Sequence, residues 1–211
     1  MKNDYLDIIH DIFKYPLPGK QAHAVFARNL NRVNYSIPDK VKLAGVMAVL
    51  FPNELEELEI IFTERMSFGS NDKHGGQMSF PGGRKEDIDS SLELTALRET
   101  HEEIGIHPDK IDVIGALSPL YIPVSNYLAH PYVGYMDHRP EFILQQEEVA
   151  EVVSCSLDHL LSFEQPLTTN IKISDQWILK DVPFFDVKGK IVWGATSMML
   201  NEFLVAIKQR L

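Results

Sequence analysis

Cysteine is almost missing from this 211-residue chain. Cys155 is its one thiol, so no internal disulfide can form and a reducing compartment is expected. Its neighbours Val152-Val153-Ser154 read as a strand, which makes it a buried, inert thiol. Positive charge is also scarce. Twenty Lys and Arg stand against thirty Asp and Glu, a net charge of -10, so the diffuse basic footprint of a nucleic-acid binder is absent. No apolar run approaches the roughly 20 residues of a membrane span. The start, Met1-Lys2-Asn3-Asp4-Tyr5, carries no signal-peptide hydrophobic segment. The expectation is a cytoplasmic protein with no nucleic acid and no membrane among its partners. Repeats and low-complexity tracts are lacking, and the length suits one domain with extensions.

What is present is a concentrated acidic helix. Arg98-Glu99-Thr100-His101-Glu102-Glu103-Ile104-Gly105 follows a glycine turn, Pro81-Gly82-Gly83. At about 100° per residue, Glu99, Glu102 and Glu103 share an arc of about 100°. They are i, i+3 and i, i+4 neighbours, so their like charges call for a cation. Hard divalent ions such as Mg²⁺ or Mn²⁺ favour oxygen ligands. Arg98 stands four residues before Glu102, placed to hold that carboxylate. Ser90 or Ser91 can start the helix, and Ser90 with Glu93 has capping-box spacing. Leu97, Thr100 and Ile104 share the opposite, core-facing side, and Gly105 ends the helix. An acidic solvated face is the bland alternative, and the coincident turn, cap, arginine and third glutamate make it the poorer account.

This stretch resembles the Nudix box, G-x5-E-x7-R-E-U-x-E-E-x-G-U with U a bulky aliphatic. Arg98 to Ile106 follows it closely, with Thr100 at a U position. The first half departs: Asp89 replaces the glutamate, and eight residues rather than seven separate it from Arg98. The role of the first acid is therefore open. Upstream, Thr63, Arg65, Gly76 and Phe80 to Gly83 resemble the segment that precedes the box in coenzyme A diphosphatases of the family. Two extra residues separate Arg65 from Gly76, and Asp72 stands where that branch has a second arginine, with Lys73 beside it. Aspartate reverses the charge there, which implies weakened recognition of the 3′-phosphate. His130-Pro131-Tyr132-Val133, Glu148-Val149-Ala150 and Val192-Trp193-Gly194-Ala195-Thr196 resemble further segments of the same branch.

Along the chain, helices are expected over 4–14 and 21–30. Strands follow over 43–50 and 58–63, joined around Pro52-Asn53, then a polar loop over 66–76 and a short strand over 78–80. After the acidic helix, strands are expected within 111–122, 130–135 and 149–156. A short helix at 157–161, two or three short strands over 171–192 and a last helix at 196–209 complete the pattern. This reads as α+β. The resemblance implies a Nudix α/β/α sandwich with a mixed central sheet. The division expected is a helical extension over 1–38 packed on a Nudix domain over 39–211.

The resemblance also implies the chemistry: metal-dependent hydrolysis of a nucleotide diphosphate, with coenzyme A or a derivative as first choice. Glu99, Glu102, Glu103 and the Gly83 carbonyl would hold Mg²⁺ or Mn²⁺. Glu99 or Glu102 would take the proton of the attacking water, and Arg98 would orient the carboxylates. Arg65, His74, Gln77 and Gly82 would bind substrate. Glu148 reads as a surface glutamate, with a proton-acceptor role as its alternative, and Trp193 as a core or base-stacking aromatic. A homodimer is an open possibility. The alternatives are a Nudix hydrolase of ADP-ribose, dinucleotides or modified nucleoside triphosphates, and a non-catalytic nucleotide-binding regulator.

Overall fold

The computed structural model describes residues 2–28, 33, 36–67, 75–174 and 176–211. Helices α1 (Lys2–Ile12) and α2 (Gly19–Phe26) precede strands β1 (Lys42–Pro52), β2 (Leu58–Arg65), β3 (Met78–Ser79) and β4 (Gly82–Arg84). Helix α3 (Leu92–Ile104) carries the acidic motif. Strands β5 (Asp112–Ala116), β6 (Leu120–Ile122), β7 (Tyr127–Tyr135) and β8 (Val149–Ser156) follow, then α4 (Leu157–Leu161). Strands β9 (Leu167–Ser174), β10 (Trp177–Val187) and β11 (Lys190–Trp193) lead into α5 (Gly194–Lys208).

β1 to β8 form one mixed sheet, in which β1 pairs parallel with β7 and the other pairings are antiparallel. Successive β1 side chains point to opposite faces. Met47, Val49 and Phe51 pack with Ala96, Leu97 and Ile104 of α3. Ala48 and Leu50 join the cluster built by α5, α1, α2 and the second sheet. The layers are thus helix, sheet, helix, the α+β sandwich expected. The three C-terminal strands are more extensive than the sequence pattern indicates. They form a separate antiparallel sheet in the order β11-β10-β9.

Helix α2 is tied to α5 by polar contacts. His23 Nε2 lies 2.9 Å from Glu202 Oε2, the other Glu202 oxygen accepts the Gly19 N–H at 3.1 Å, and Asn201 donates to the Ala22 carbonyl at 2.8 Å. A buried carboxylate without such donors would cost several kcal/mol, on the order of a broken buried pair.

The site is positioned by a wedge in the main sheet. β1 and β2 pair at Leu50 with Ile60 through Pro52 with Leu58. Further along they part, and two short strands fill the gap. β3 runs along β2, setting Thr63 opposite Ser79 and Glu64 opposite Met78. β4 runs along β1, setting Gly45 opposite Gly83 and Val46 opposite Gly82. Helix α3 crosses β1 at Gly45, where a β-carbon would meet the Ala96 nitrogen at 2.8 Å. The helix therefore lies directly over the glycine turn.

Candidate active site

Helix α3 begins at Ser91, whose hydroxyl accepts the Leu94 N–H at 3.1 Å. The Ser90–Glu93 capping box is not the cap: the helix starts one residue later, and the residue three beyond the true cap is leucine. The stop is as expected, with Gly105 left-handed at φ 78° and its N–H on the His101 carbonyl. Thr100 and Ile104 are fully buried beneath the acidic face, with Leu97 nearly so.

Arg98 organises the acidic residues. Its Nε donates to Asp89 Oδ1 and its Nη2 to Asp89 Oδ2, both at 2.9 Å. Nη2 also reaches the Arg84 carbonyl at 3.1 Å. Nη1 holds Glu102 Oε2 at 2.7 Å and Glu99 Oε1 at 2.9 Å. Asp89 further accepts the Glu86 N–H at 2.9 Å and the Thr95 hydroxyl at 3.0 Å. The Arg98 guanidinium, with these two donors, holds the buried Asp89 carboxyl far below the usual range, and Asp89 in turn keeps Arg98 protonated. The question left open by the irregular box thus has a structural answer. The longer loop carries the shorter acid back under the helix, where it is a main partner of Arg98. Its signal in the sequence was the acidic residue itself, displaced by one position.

Glu99 and Glu103 lie deeper. The Glu99 carboxylate rests against Gly83, where a β-carbon would overlap it, so only glycine leaves it room there. Burial raises the Glu99 pKa, with Arg98 pulling the other way. Glu103 is 5% exposed, and its Oε2 has no hydrogen-bond partner among the described residues. Burial first, then the Glu99 charge, push Glu103 up to about 8, while Arg65 and the Gly82 N–H draw it down. Glu102 differs: its side chain is 55% exposed and tied to Arg98. Among the described residues, no three acidic, histidine or cysteine side chains converge as a ready cage for a metal ion. Arg98 holds two of the carboxylates in its own grip. The donor set still suits a hard divalent cation: a buried carboxylate oxygen without a partner among the described residues, beside a second, half-buried carboxylate, is costly until a cation meets it.

The wedge brings the upstream residues to this place. The Arg65 N–H donates to the Gln77 carbonyl at 3.0 Å, and the Gly76 N–H to the Arg65 carbonyl at 2.9 Å. The Arg65 charge acts on Glu103. Arg65, Gln77, Gly82, Gly83, Glu99 and Glu103 are therefore one neighbourhood although they span nearly forty positions. Glu148 is exposed, yet its charge reaches both Glu99 and Glu103, and its carbonyl accepts the Met66 N–H. His74, with Asp72 and Lys73, lies outside the described residues. Cys155 is buried, and burial pushes its thiol up to about 11. No described helix is long and apolar enough to cross a membrane.

Comparison with known proteins agrees with this geometry. The NUDIX domain family matches residues 41–178. An uncharacterized Nudix hydrolase NudL of Enterobacter is 33% identical over 165 residues, covering 76% of this chain and 81% of its own. The chloroplastic Nudix hydrolase 22 of Arabidopsis thaliana is 30% identical over 196 residues, 89% of this chain and 61% of its own. The mouse peroxisomal coenzyme A diphosphatase NUDT7 is 35% identical over 105 residues, half of this chain and 43% of its own. A MutT/nudix family protein from Enterococcus faecalis has the same fold, with a TM-score of 0.54 at 15% identity over 92% of this chain and 76% of that one. With its box on α3, its glycine wedge beneath that helix and a family match across most of its length, this chain belongs to the Nudix hydrolases.

Proposed function

We propose that this enzyme hydrolyses the diphosphate of coenzyme A or a close derivative, giving 3′,5′-ADP and 4′-phosphopantetheine. The observation that carries the hydrolytic part is Glu103 Oε2, a buried carboxylate oxygen with no partner among the described residues, set beside Glu99 and the Gly83 cradle. Glu103, Glu99 and the Gly83 carbonyl would hold Mg²⁺ or Mn²⁺, with Glu102 completing the set. A divalent cation there would supply charge neutralisation of the diphosphate, orientation of water and stabilisation of the displaced oxygen.

The chain's own residues do the rest. Arg98 fixes Glu102 and Glu99 while Asp89 fixes Arg98. Glu102, the most exposed of the three glutamates, takes the proton as the water oxygen bonds to phosphorus and the anhydride P–O bond breaks. Arg65 and the Gly82 N–H, both already acting on Glu103, face the phosphate oxygens. Gln77, bonded to Arg65 through its backbone, lies beside them, and His74 belongs to the same substrate-binding segment.

The coenzyme A assignment rests on the Thr63–Gly83 segment and on the likeness to the mouse diphosphatase. The experiment is a hydrolysis screen at fixed free Mg²⁺ and Mn²⁺ over coenzyme A, dephospho-coenzyme A, ADP-ribose, NADH, diadenosine polyphosphates and nucleoside triphosphates. Coenzyme A is expected to give the highest kcat/KM. Rapid ADP-ribose cleavage with no cleavage of either coenzyme would move the enzyme to another branch.

A further inference from the structure

Lys190 of β11 reaches out of the second sheet to two carboxylates of the first. Its Nζ lies 2.6 Å from Glu64 Oε2 on β2 and 2.8 Å from Glu151 Oε2 on β8. We propose that Lys190 is a positioning residue: by holding these two glutamates together, it fixes the strand end that aims Arg65 at the substrate's diphosphate. The proposal rests on the reading of Arg65 above and says what keeps that side chain in place.

The two glutamates need such a clamp. They stand directly opposite each other on β2 and β8, with Met78 of β3 on the other side of Glu64. Like charges facing across paired strands are destabilising, and a cation between them turns that repulsion into attraction at this rung. Lys190 also lines, with Gly76, Gln77, Met78 and Trp193, the cavity between β3 and the second sheet. Gly76 and Gln77 are the residues bonded to the Arg65 backbone. The clamp therefore closes beside the segment that carries Arg65.

Arg65 follows Glu64 directly. Side chains alternate along a strand: Ile60 and Phe62 pack in the cluster on the α5 side, and Ile61 in the cluster under α3. Glu64 thus points to Lys190, and Arg65 to the opposite face, where its charge acts on Glu103. The register of β2 and β8 breaks at this point. Glu64 faces Glu151, but Arg65 faces Val149, so Ala150 has no rung. Such a bulge disrupts the ladder and redirects a side chain. Bonding resumes one residue on, where the Met66 N–H donates to the Glu148 carbonyl at 2.7 Å. The break leaves the direction of Arg65 to be set by the rung before it, and Lys190 locks that rung.

Calorimetric titration with inorganic pyrophosphate at fixed free Mg²⁺ reads the clamp without turnover. Lys190→Met is expected to weaken binding about tenfold, the size of one misplaced charged contact, and Lys190→Arg to restore it. In an Arg65→Ala background the same Lys190→Met change is expected to weaken binding less than about twofold, because residues that act through one another do not add. Lys190→Gln gives the same comparison should the methionine variant not fold. No binding by the parent protein, an affinity untouched by Lys190→Met, or an equal loss with and without Arg65 overturns the proposal. The last is what a bridge that merely joins the two sheets would give. Pyrophosphate binding that depends on Lys190, without coenzyme A cleavage, sinks the substrate assignment alone. Coenzyme A cleavage with an affinity indifferent to Lys190 sinks the clamp alone.

Discussion

Arg98 grips Asp89 with two parallel hydrogen bonds, Nε to Oδ1 and Nη2 to Oδ2, each 2.9 Å long, across the loop that leads into α3. The same guanidinium holds Glu99 and Glu102 through Nη1. One side chain thus couples the loop's end to the carboxylates of the site. Asp89 is the anchor of that arrangement, because it is buried and accepts from four donors.

Asp89→Asn removes the charge from a buried pair and is expected to cost about 3 kcal/mol of stability at neutral pH. The folded-state pKa of Asp89 lies below its unfolded value. Its stabilisation is therefore complete above the ordinary carboxylate range, near 4, and is lost as pH falls toward the folded value. Denaturant unfolding of both proteins from pH 7 down to 3 should show the gap between them narrowing on the acid side. A gap that widens with acid contradicts the pairing.

Glu103→Gln keeps the shape but removes the ionisable carboxyl whose Oε2 has no partner among the described residues. Thermal stability without metal should be unchanged or higher. Hydrolysis should fall by about three orders of magnitude, on the scale of losing a main electrostatic contributor. Mg²⁺ should raise the melting temperature of the parent protein and not that of the variant. Equal Mg²⁺ shifts in the two would remove Glu103 from the metal set.

Gly83→Ala inserts a β-carbon into the space of the Glu99 carboxylate. Glu99 must move, so the Mg²⁺ concentration for half-maximal rate should rise and the rate should fall about a hundredfold, as small misplacements cost. The melting temperature should change little, since Gly83 is only partly buried. Metal titrations of activity read the outcome, and normal turnover at ordinary Mg²⁺ would show that Glu99 is not held through this contact.

Cys155 is 2% exposed, with its thiol pushed from 9.0 to about 11 by burial. An aromatic disulfide reagent at pH 8 should leave the folded protein unmodified and react at once in denaturant. The stability that the buried neutral thiol contributes is complete below the unfolded value and is lost as pH rises through about 11. Cys155→Ala should flatten that alkaline decline, and fast labelling of the folded protein would refute the burial.

Much of this was legible because it is local. The spacing of Glu99, Glu102 and Glu103, the glycine stop and the core-facing Thr100 and Ile104 follow from 3.6 residues per turn. Strand β8 and helix α4 begin and end where apolar runs and polar breaks do. The cap was displaced by one residue because Ser90 and Ser91 are both competent, and only the path of the preceding loop selects between them. The C-terminal strands were underread because β9 and the first half of β10 are largely exposed, so little of a buried face marks them in the sequence.

The sequence by itself determined that this chain carries an acidic helix built to face a cation, a glycine turn ahead of it and an alternating apolar framework to support both. Each depends on neighbours a few positions apart, within reach of backbone periodicity. Only the tertiary structure decided that Asp89 anchors Arg98, that Arg65 pairs with Gln77 and acts on Glu103, and that Trp193 shares a cavity with the upstream segment. Those relations join distant positions through the parting of β1 from β2 and the stacking of a second sheet, and no local rule encodes where such elements meet.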